Sequence, residues 1–353
     1  MTINSASLLP LTAIRGLAAL WVYLYHRSNM TSGNAFFTAF AKDGYFGLDI
    51  FFILSGFIIS YVHFDEFSKP QDVQKNIGRF LLLRLCRIYP LHILMLFAFV
   101  NLQAPSGGVG DFLQHVLLMQ SWGWSNNGIW NIPAWSISVE WLIYLLFPLF
   151  ACGIFAMARS AVFNIGMIVA ALGLWKVYLV TVDQSIHDLV QPMTCLPRGI
   201  LNFVIGVALH NLYRQKFLEK LPWDAIAVAA TLGIAGASWA RAINMQVHDI
   251  LMIALFTLLI YALTNIRGWA NVVFSNRVVV YLGTISYSLY MLQWFYLLLI
   301  AKYRGIQFAG EPFFDWHFFA ETLGLIAVSA LSYHCLEHPA RKWIRAQMEE
   351  EKA

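Results

Sequence analysis

The strongest chemical signal in the chain is a pair on its first apolar stretch, Arg15 and His26, eleven positions apart in LTAIRGLAALWVYLYH. Eleven residues of α-helix are about three turns, so the two side chains fall within about 20° of one face and about 16 Å apart along it. One helix face thus offers a cation towards one end and a titratable imidazole towards the other. Each residue also has a plainer reading: a snorkelling or ion-paired arginine, and a hydrogen-bonded packing histidine. Two carboxylates stand in similarly apolar surroundings, Asp49 in GYFGLDIFFILSGF and Glu140 in WSISVEWLIYLL. Either, within reach of the imidazole, would fix its tautomer and stabilise the imidazolium. The sequence does not choose between them.

Two further segments carry chemistry in groups. RFLLLRLCRIYP brings together Arg79, Arg84, Arg87 and Tyr89. Arginine forks match phosphate oxygens, so this segment reads as a phosphate clamp or as an ordinary basic flank of a membrane span. SWGWSNNGIWNIPAW holds Trp122, Trp124, Trp130 and Trp135. Tryptophans are common at membrane interfaces, and four so close together among asparagines also suit stacking on sugar rings. His92, His210, His334 and Lys176 stand alone and read as structural. Cys86, Cys152, Cys195 and Cys335 show no CxxC or Cys/His spacing, so neither a metal nor a disulfide is expected.

The elements that hold these residues are apolar helices. Of the 353 residues 59% are hydrophobic and 12% charged, with a mean hydropathy of +0.63. A soluble domain carries about a quarter charged residues, so this surface faces lipid. The net charge of +4 is mild, and no basic tract resembles a nucleic-acid arm. About twenty apolar residues cross a bilayer core. Ten segments meet that length approximately: 8–26, 45–63, 86–103, 136–157, 161–181, 198–213, 223–241, 247–264, 280–301 and 318–336. The expected fold is an all-α polytopic bundle of about ten spans, a membrane domain over 1–340 with a short charged tail at 341–353. The first stretch is too long, and too polar at Arg15 and His26, for a signal-peptide core. Phe112–Trp122 falls short of a span and reads as re-entrant or interfacial; as a span it would invert every later segment.

Ten spans put both termini on one side. That side then holds 15 of the 23 lysines and arginines, the opposite side 6, and two lie within spans. The positive-inside rule places both termini in the cytoplasm. Ionisable groups at membrane depth are costly and face a bundle interior or a water-filled cavity. With this orientation Arg15, Arg84 and Arg87 lie towards the inside, and His26, Asp49 and Glu140 towards the outside.

Taken together these blocks resemble the acyltransferase-3 family of membrane acyltransferases. The resemblance is carried, in order, by Arg15 and His26, by Gly47, Asp49, Phe51, Phe52, Ser55, Gly56 and Phe57, by RLCRIYPLH, by WSISVEWLIYLLFP, by LGTISYSLYMLQ and by EHPARK. It implies a bacterial inner-membrane enzyme with a ten-helix core. Such an enzyme moves an acyl group, usually acetyl, from cytoplasmic acyl-CoA to a hydroxyl of an extracytoplasmic polysaccharide or glycolipid. The family's histidine, arginine and acidic positions fall on His26, Arg15, Asp49 and Glu140. Arg15, Arg84, Arg87 and Tyr89 are then the expected CoA-binding set, and the four tryptophans the expected acceptor platform. The resemblance implies no metal, and no extracytoplasmic esterase-like domain is seen in the chain. One departure stands out: many members read Tyr-x-x-His where this chain has Tyr290-Met-Leu-Gln293. The rival class is a proton-coupled transporter or flippase with His26, Asp49 and Glu140 as its relay; against it, no inverted repeat is seen.

Overall fold

The computed structural model describes residues 8–28, 35–103, 107–124, 130–157, 160–189, 193–304 and 316–350, and among them every regular element is a helix. In chain order these are α1 (Leu9–Ser28), α2 (Ala35–Lys42), α3 (Gly47–Phe67), α4 (Pro70–Gln103), α5 (Val109–Val116), α6 (Ala134–Met157), α7 (Ala161–Val182) and α8 (Cys195–Arg214). They continue with α9 (Trp223–Ala242), α10 (Asp249–Asn265), α11 (Trp269–Phe274), α12 (Arg277–Thr284), α13 (Ser286–Arg304), α14 (Trp316–Ser332) and α15 (His338–Glu350).

Each of the ten apolar segments lies on a helix, but they are not equivalent spans. Among the described residues seven helices are long and apolar enough to cross a membrane. An eighth crossing is made only if α12 and α13 count together, and these meet at a 67° bend. α10 has 17 residues, short of the usual span. α1 is 20 residues long, but Arg15, His26 and Arg27 dilute its hydropathy. The chain is therefore a multi-pass helical membrane protein with about seven candidate spans. α4 is longer than its apolar segment: its 34 residues measure about 51 Å, so its polar first half projects beyond a core of about 30 Å. α5 has eight residues, about 12 Å, which does not cross. It is tied down instead. His92 donates to the His115 carbonyl at 2.7 Å, and Ser138 donates to the Leu118 carbonyl at 2.8 Å.

α3 and α8 form the centre: 72% of the apolar window of each is buried, against 11% for α7, whose sides face outward. At Gly56 and Gly206 their backbones leave no room for a side chain. A Cβ on Gly56 would stand 2.1 Å from the Phe203 carbonyl oxygen, and one on Gly206 would stand 2.0 Å from that of Ile53. α1 meets α12 in the same way at Gly16 and Gly283. Two apolar cores flank this partition. One, with Trp175, Phe256 and Ile260, joins α7, α8, α9 and α10. The other, with Phe80, Leu91, Phe147 and Leu297, joins α4, α6 and α13.

Candidate active site

α1 contributes Arg15 to a cavity of about 760 Å³ bounded by α1, α3, α4, α6 and the start of α13. The same cavity is lined by Arg84 and Arg87 from α4, Ser55 from α3, Glu140 and Tyr144 from α6, and Tyr287 and Tyr290 from α13. Four of the expected site residues therefore converge from three separated segments. Arg84 is engaged at its rim: its Nη2 lies 3.2 Å from His63 Nε2. His63 Nδ1 lies 2.6 Å from Glu66 Oε2, and Glu66 lies 3.7 Å from Arg79. Arg15 and Arg87 differ. Among the described residues neither makes a hydrogen bond or an ion pair, although Glu140 and Arg87 are both within electrostatic reach of Arg15.

Glu140 faces this cavity with one oxygen doubly occupied: Oε1 accepts from Ser55 Oγ at 2.9 Å and from the Tyr144 hydroxyl one turn along α6. Glu337, the first residue of the EHPARK block, is buried. It sits at the end of a π-helical stretch, Tyr333–Glu337, accepts from Ser288, and is within electrostatic reach of Arg87 and Arg15.

His26 does not line the cavity; it lies beyond its far end. Tyr290, whose hydroxyl donates to the Pro133 carbonyl at 2.7 Å and lies 2.8 Å from Ser136 Oγ, marks that end. One turn further along α13 come Gln293 and Trp294. The Trp294 ring centroid is 5.2 Å from that of His26, and the Gln293 amide adjoins the imidazole. Gln293 is fully buried, and among the described residues His26 Nδ1 and both amide atoms of Gln293 lack a well-formed hydrogen bond. Gln293, where the resemblance led us to expect a histidine, is thus in contact with His26.

Asp49 is not brought to His26. Its Oδ1 accepts from Arg198 Nε at 3.0 Å and from Asn202 at 2.7 Å, and its Oδ2 accepts from Arg198 Nη2 at 2.7 Å. The pair is fully buried, and Arg198 also donates to the carbonyls of Ile186 and Tyr45. The expectation that Asp49 orients the histidine is corrected: a fork-to-fork ion pair and an amide occupy it. Glu140 is likewise bonded to Ser55 and Tyr144 rather than to His26. Tyr89 packs beside His92 and does not line the cavity.

The four tryptophans do not form one platform. Trp135 is 2% exposed, packed on Phe52 and under the Arg198 guanidinium, so the expectation of an acceptor contact there is corrected. Trp130 stacks on His115 with ring centroids 4.9 Å apart. Its backbone N–H donates to His115 Nε2 at 3.1 Å; burial pulls that imidazole below its ordinary range, which keeps the acceptor nitrogen free of a proton. Trp122 donates to the Ser138 carbonyl at 3.0 Å. Trp124 alone is open, 65% exposed.

Two further arginines are structural. Arg27 is buried against Glu321 of α14, with Nε 3.1 Å from Oε2, and lies over the Phe318 ring. Arg198 is the partner of Asp49. A signal for the second existed: Asn202 stands four residues after Arg198, on the same helix face.

Residues 10–333 match the acyltransferase-3 family, described as an acyltransferase domain. The chain belongs to this family of membrane acyltransferases. It is 24% identical over 363 residues to a Bacillus subtilis protein named "Putative peptidoglycan O-acetyltransferase YrhL", covering 94% of this chain and 54% of that one. It is 21% identical to a "Putative O-acetyltransferase" of Staphylococcus aureus strain COL, covering 94% of this chain and 57% of that one. Acyltransferase MdmB of Streptomyces mycarofaciens is 32% identical over 154 residues, 39% of this chain and 38% of the relative. The chain thus spans just over half the length of the two relatives it matches end to end. No solved structure matches it.

Proposed function

We propose that the chain is a ten-span acyltransferase of a bacterial cytoplasmic membrane, both termini inside, moving an acetyl group from cytoplasmic acetyl-CoA to a hydroxyl of an extracytoplasmic glycan. One observation carries this reading: Arg15 and Arg87, with no hydrogen bond or ion pair among the described residues, present their guanidinium groups to a cavity whose far end adjoins His26. Guanidinium forks with no hydrogen-bonded carboxylate have donors to spare, and a phosphate-bearing donor meets them in a geometry that those forks match. The nucleotide phosphates then lie at Arg15, Arg84 and Arg87, with the pantetheine arm directed past Ser55 and Tyr290 towards His26. His26 acts either as general base on the acceptor hydroxyl or as the nucleophile that first takes the acyl group. Trp124 is the tryptophan placed to meet a sugar ring. The relatives named as O-acetyltransferases support acetyl as the group and a glycan as the acceptor.

The transporter reading rested on three titratable groups in relay. Asp49, locked to Arg198 and Asn202, is not available to it.

The test is thiol release from labelled acetyl-CoA by the purified chain in liposomes. His26→Ala is expected to lower turnover by about 10²–10⁴-fold, the usual scale for a lost acid–base group, with unchanged thermal unfolding. Wild-type turnover in that variant refutes the assignment.

A further inference from the structure

Beside His26, a hydroxyl on the same helix meets a second histidine. The Tyr25 hydroxyl lies 2.8 Å from Nε2 of His187, on the connection between α7 and α8, and Nδ1 of His187 lies 3.0 Å from Oδ1 of Asp188. An ionised carboxylate only accepts, so Nδ1 carries the proton, Nε2 is the acceptor and Tyr25 is the donor. Asp188 Oδ2 also accepts from the Ser185 hydroxyl at 2.7 Å. These hydrogen bonds, from Ser185 first and then His187, hold the Asp188 carboxyl below the usual carboxylate range.

The connection is anchored where a relay needs it to be. The backbone N–H of Ile186 donates to Asp249 Oδ2 at 2.9 Å, and its carbonyl accepts from Arg198 Nη1 at 3.1 Å. The side chains of His187 and Asp188 are nonetheless 47% and 53% exposed, at the end of the bundle away from the arginine cavity. Tyr25 stands between the two imidazoles, its ring centroid 5.0 Å from His26 and 5.7 Å from His187. The ionisable groups around His187 are Tyr25 from α1, Tyr45 from the turn before α3, Asp188 beside it and Asp249 from α10. Arg198 reaches it through Ile186, and Arg241 of α9 through Tyr45 and Asp249.

We propose that Tyr25, His187 and Asp188 form a proton exit for His26, an inference that rests on His26 being the reacting imidazole. As the acceptor oxygen bonds to the acyl carbon and the thioester C–S bond breaks, His26 takes the acceptor's proton. That proton passes through a bridging water to the Tyr25 oxygen, while Tyr25's own proton passes to His187 Nε2. His187, held in register by Asp188, releases it to water on its side of the membrane. The departing thiolate takes a proton from water on the arginine side. Each acyl transfer therefore consumes one proton on one side and releases one on the other. His187 supplies, from a different helix connection, the second imidazole that Gln293 does not.

The experiment uses the full chain in liposomes, with acetyl-CoA at the arginine side and an N-acetylglucosamine tetramer as probe acceptor at the other, reading thiol release. His187→Gln is expected to lower kcat about tenfold, the low end for a displaced proton-transfer group, with the KM for acetyl-CoA unchanged. It is also expected to flatten the rise of kcat with pH on the histidine side. His187→Gly is expected to regain most of its turnover when imidazole is added on that side alone, which a merely structural loss does not do. Tyr25→Phe is expected to show the same loss without rescue. The proposal is overturned by His187→Gln turnover within about twofold of wild type with an unchanged pH profile, or by a His187→Gly loss that imidazole leaves in place. If His26→Ala is inactive while His187→Gln is normal, the exit alone fails. If His26→Ala turns over normally, the reading of His26 fails first.

Discussion

The arginines at the two ends of this bundle are treated in opposite ways. At the histidine end Arg27 closes on Glu321, Arg198 on Asp49, and Arg241 on both Asp43 and Asp249. At the cavity, Arg15 and Arg87 make neither a hydrogen bond nor an ion pair among the described residues, and line about 760 Å³ of space instead. Residue type is alike in the two regions, so it does not tell structure from site. The partner does: a carboxylate within the fold makes a strut, and an open cavity makes a binding group.

This contrast can be broken by removing one charge from each region. The largest effect is expected from Arg198→Ala, which leaves a fully buried carboxylate with Asn202 as its remaining side-chain donor. Losing one partner of a buried pair costs about 3–5 kcal/mol, so the variant should unfold at a clearly lower temperature in detergent and lose activity in step with folded protein. The double variant Asp49→Leu with Arg198→Met should recover much of that stability, since apolar isosteres often replace buried pairs without loss. An inactive double variant with wild-type stability would instead return Asp49 to the chemistry.

Arg15→Ala should do the reverse. With no ion pair to break, thermal unfolding stays within about 0.5 kcal/mol of wild type, the range of substitutions that disturb no structural contact. Donor binding weakens about 10- to 100-fold, the worth of one charge-assisted hydrogen bond of about 1.5–3 kcal/mol. Arg15→Lys restores the charge without the fork and should recover only part of the affinity. Unchanged acetyl-CoA affinity in Arg15→Ala, read by isothermal titration, would collapse the distinction between the two regions. The smallest effect is expected at Trp124: Trp124→Ala should raise the KM for a glycan probe severalfold, about the 1–3 kcal/mol or less of one stacked ring, with no change in unfolding temperature.

Much of this was legible in the chain. The meeting of Arg15, Arg84 and Arg87 follows from their depth within their helices, but Glu140, read towards the opposite side with His26 and Asp49, lines the same cavity as the arginines. The apolar segments were found as helices, and α1 fails as an apolar span only because of the polar residues that make it chemically interesting. The partners of those residues were less legible. Asp49 and Arg198 are 149 residues apart, and no local spacing reports a contact between separate helices. The same holds for Arg27 with Glu321, and for Tyr25 with His187. Trp135 was misassigned because a run of tryptophans in sequence takes no account of α6, whose first turn carries this one inward. Gln293 was visible as a departure from related sequences, but only packing places it against His26.

The glycine contacts have a mechanical consequence. Where the backbones of α3 and α8 touch at Gly56 and Gly206, and those of α1 and α12 at Gly16 and Gly283, the helices cannot slide past one another without main-chain collision. Stiffness is therefore concentrated on one side of the cavity. On the other, α4 carries Pro90 in its interior, where one i→i−4 bond is missing and a helix bends most readily. Arg84 and Arg87 lie within two turns of that weak point. A bulky molecule entering between the helices would displace the wall that bears Arg84 and Arg87, while Arg15 and His26 stay fixed on the other.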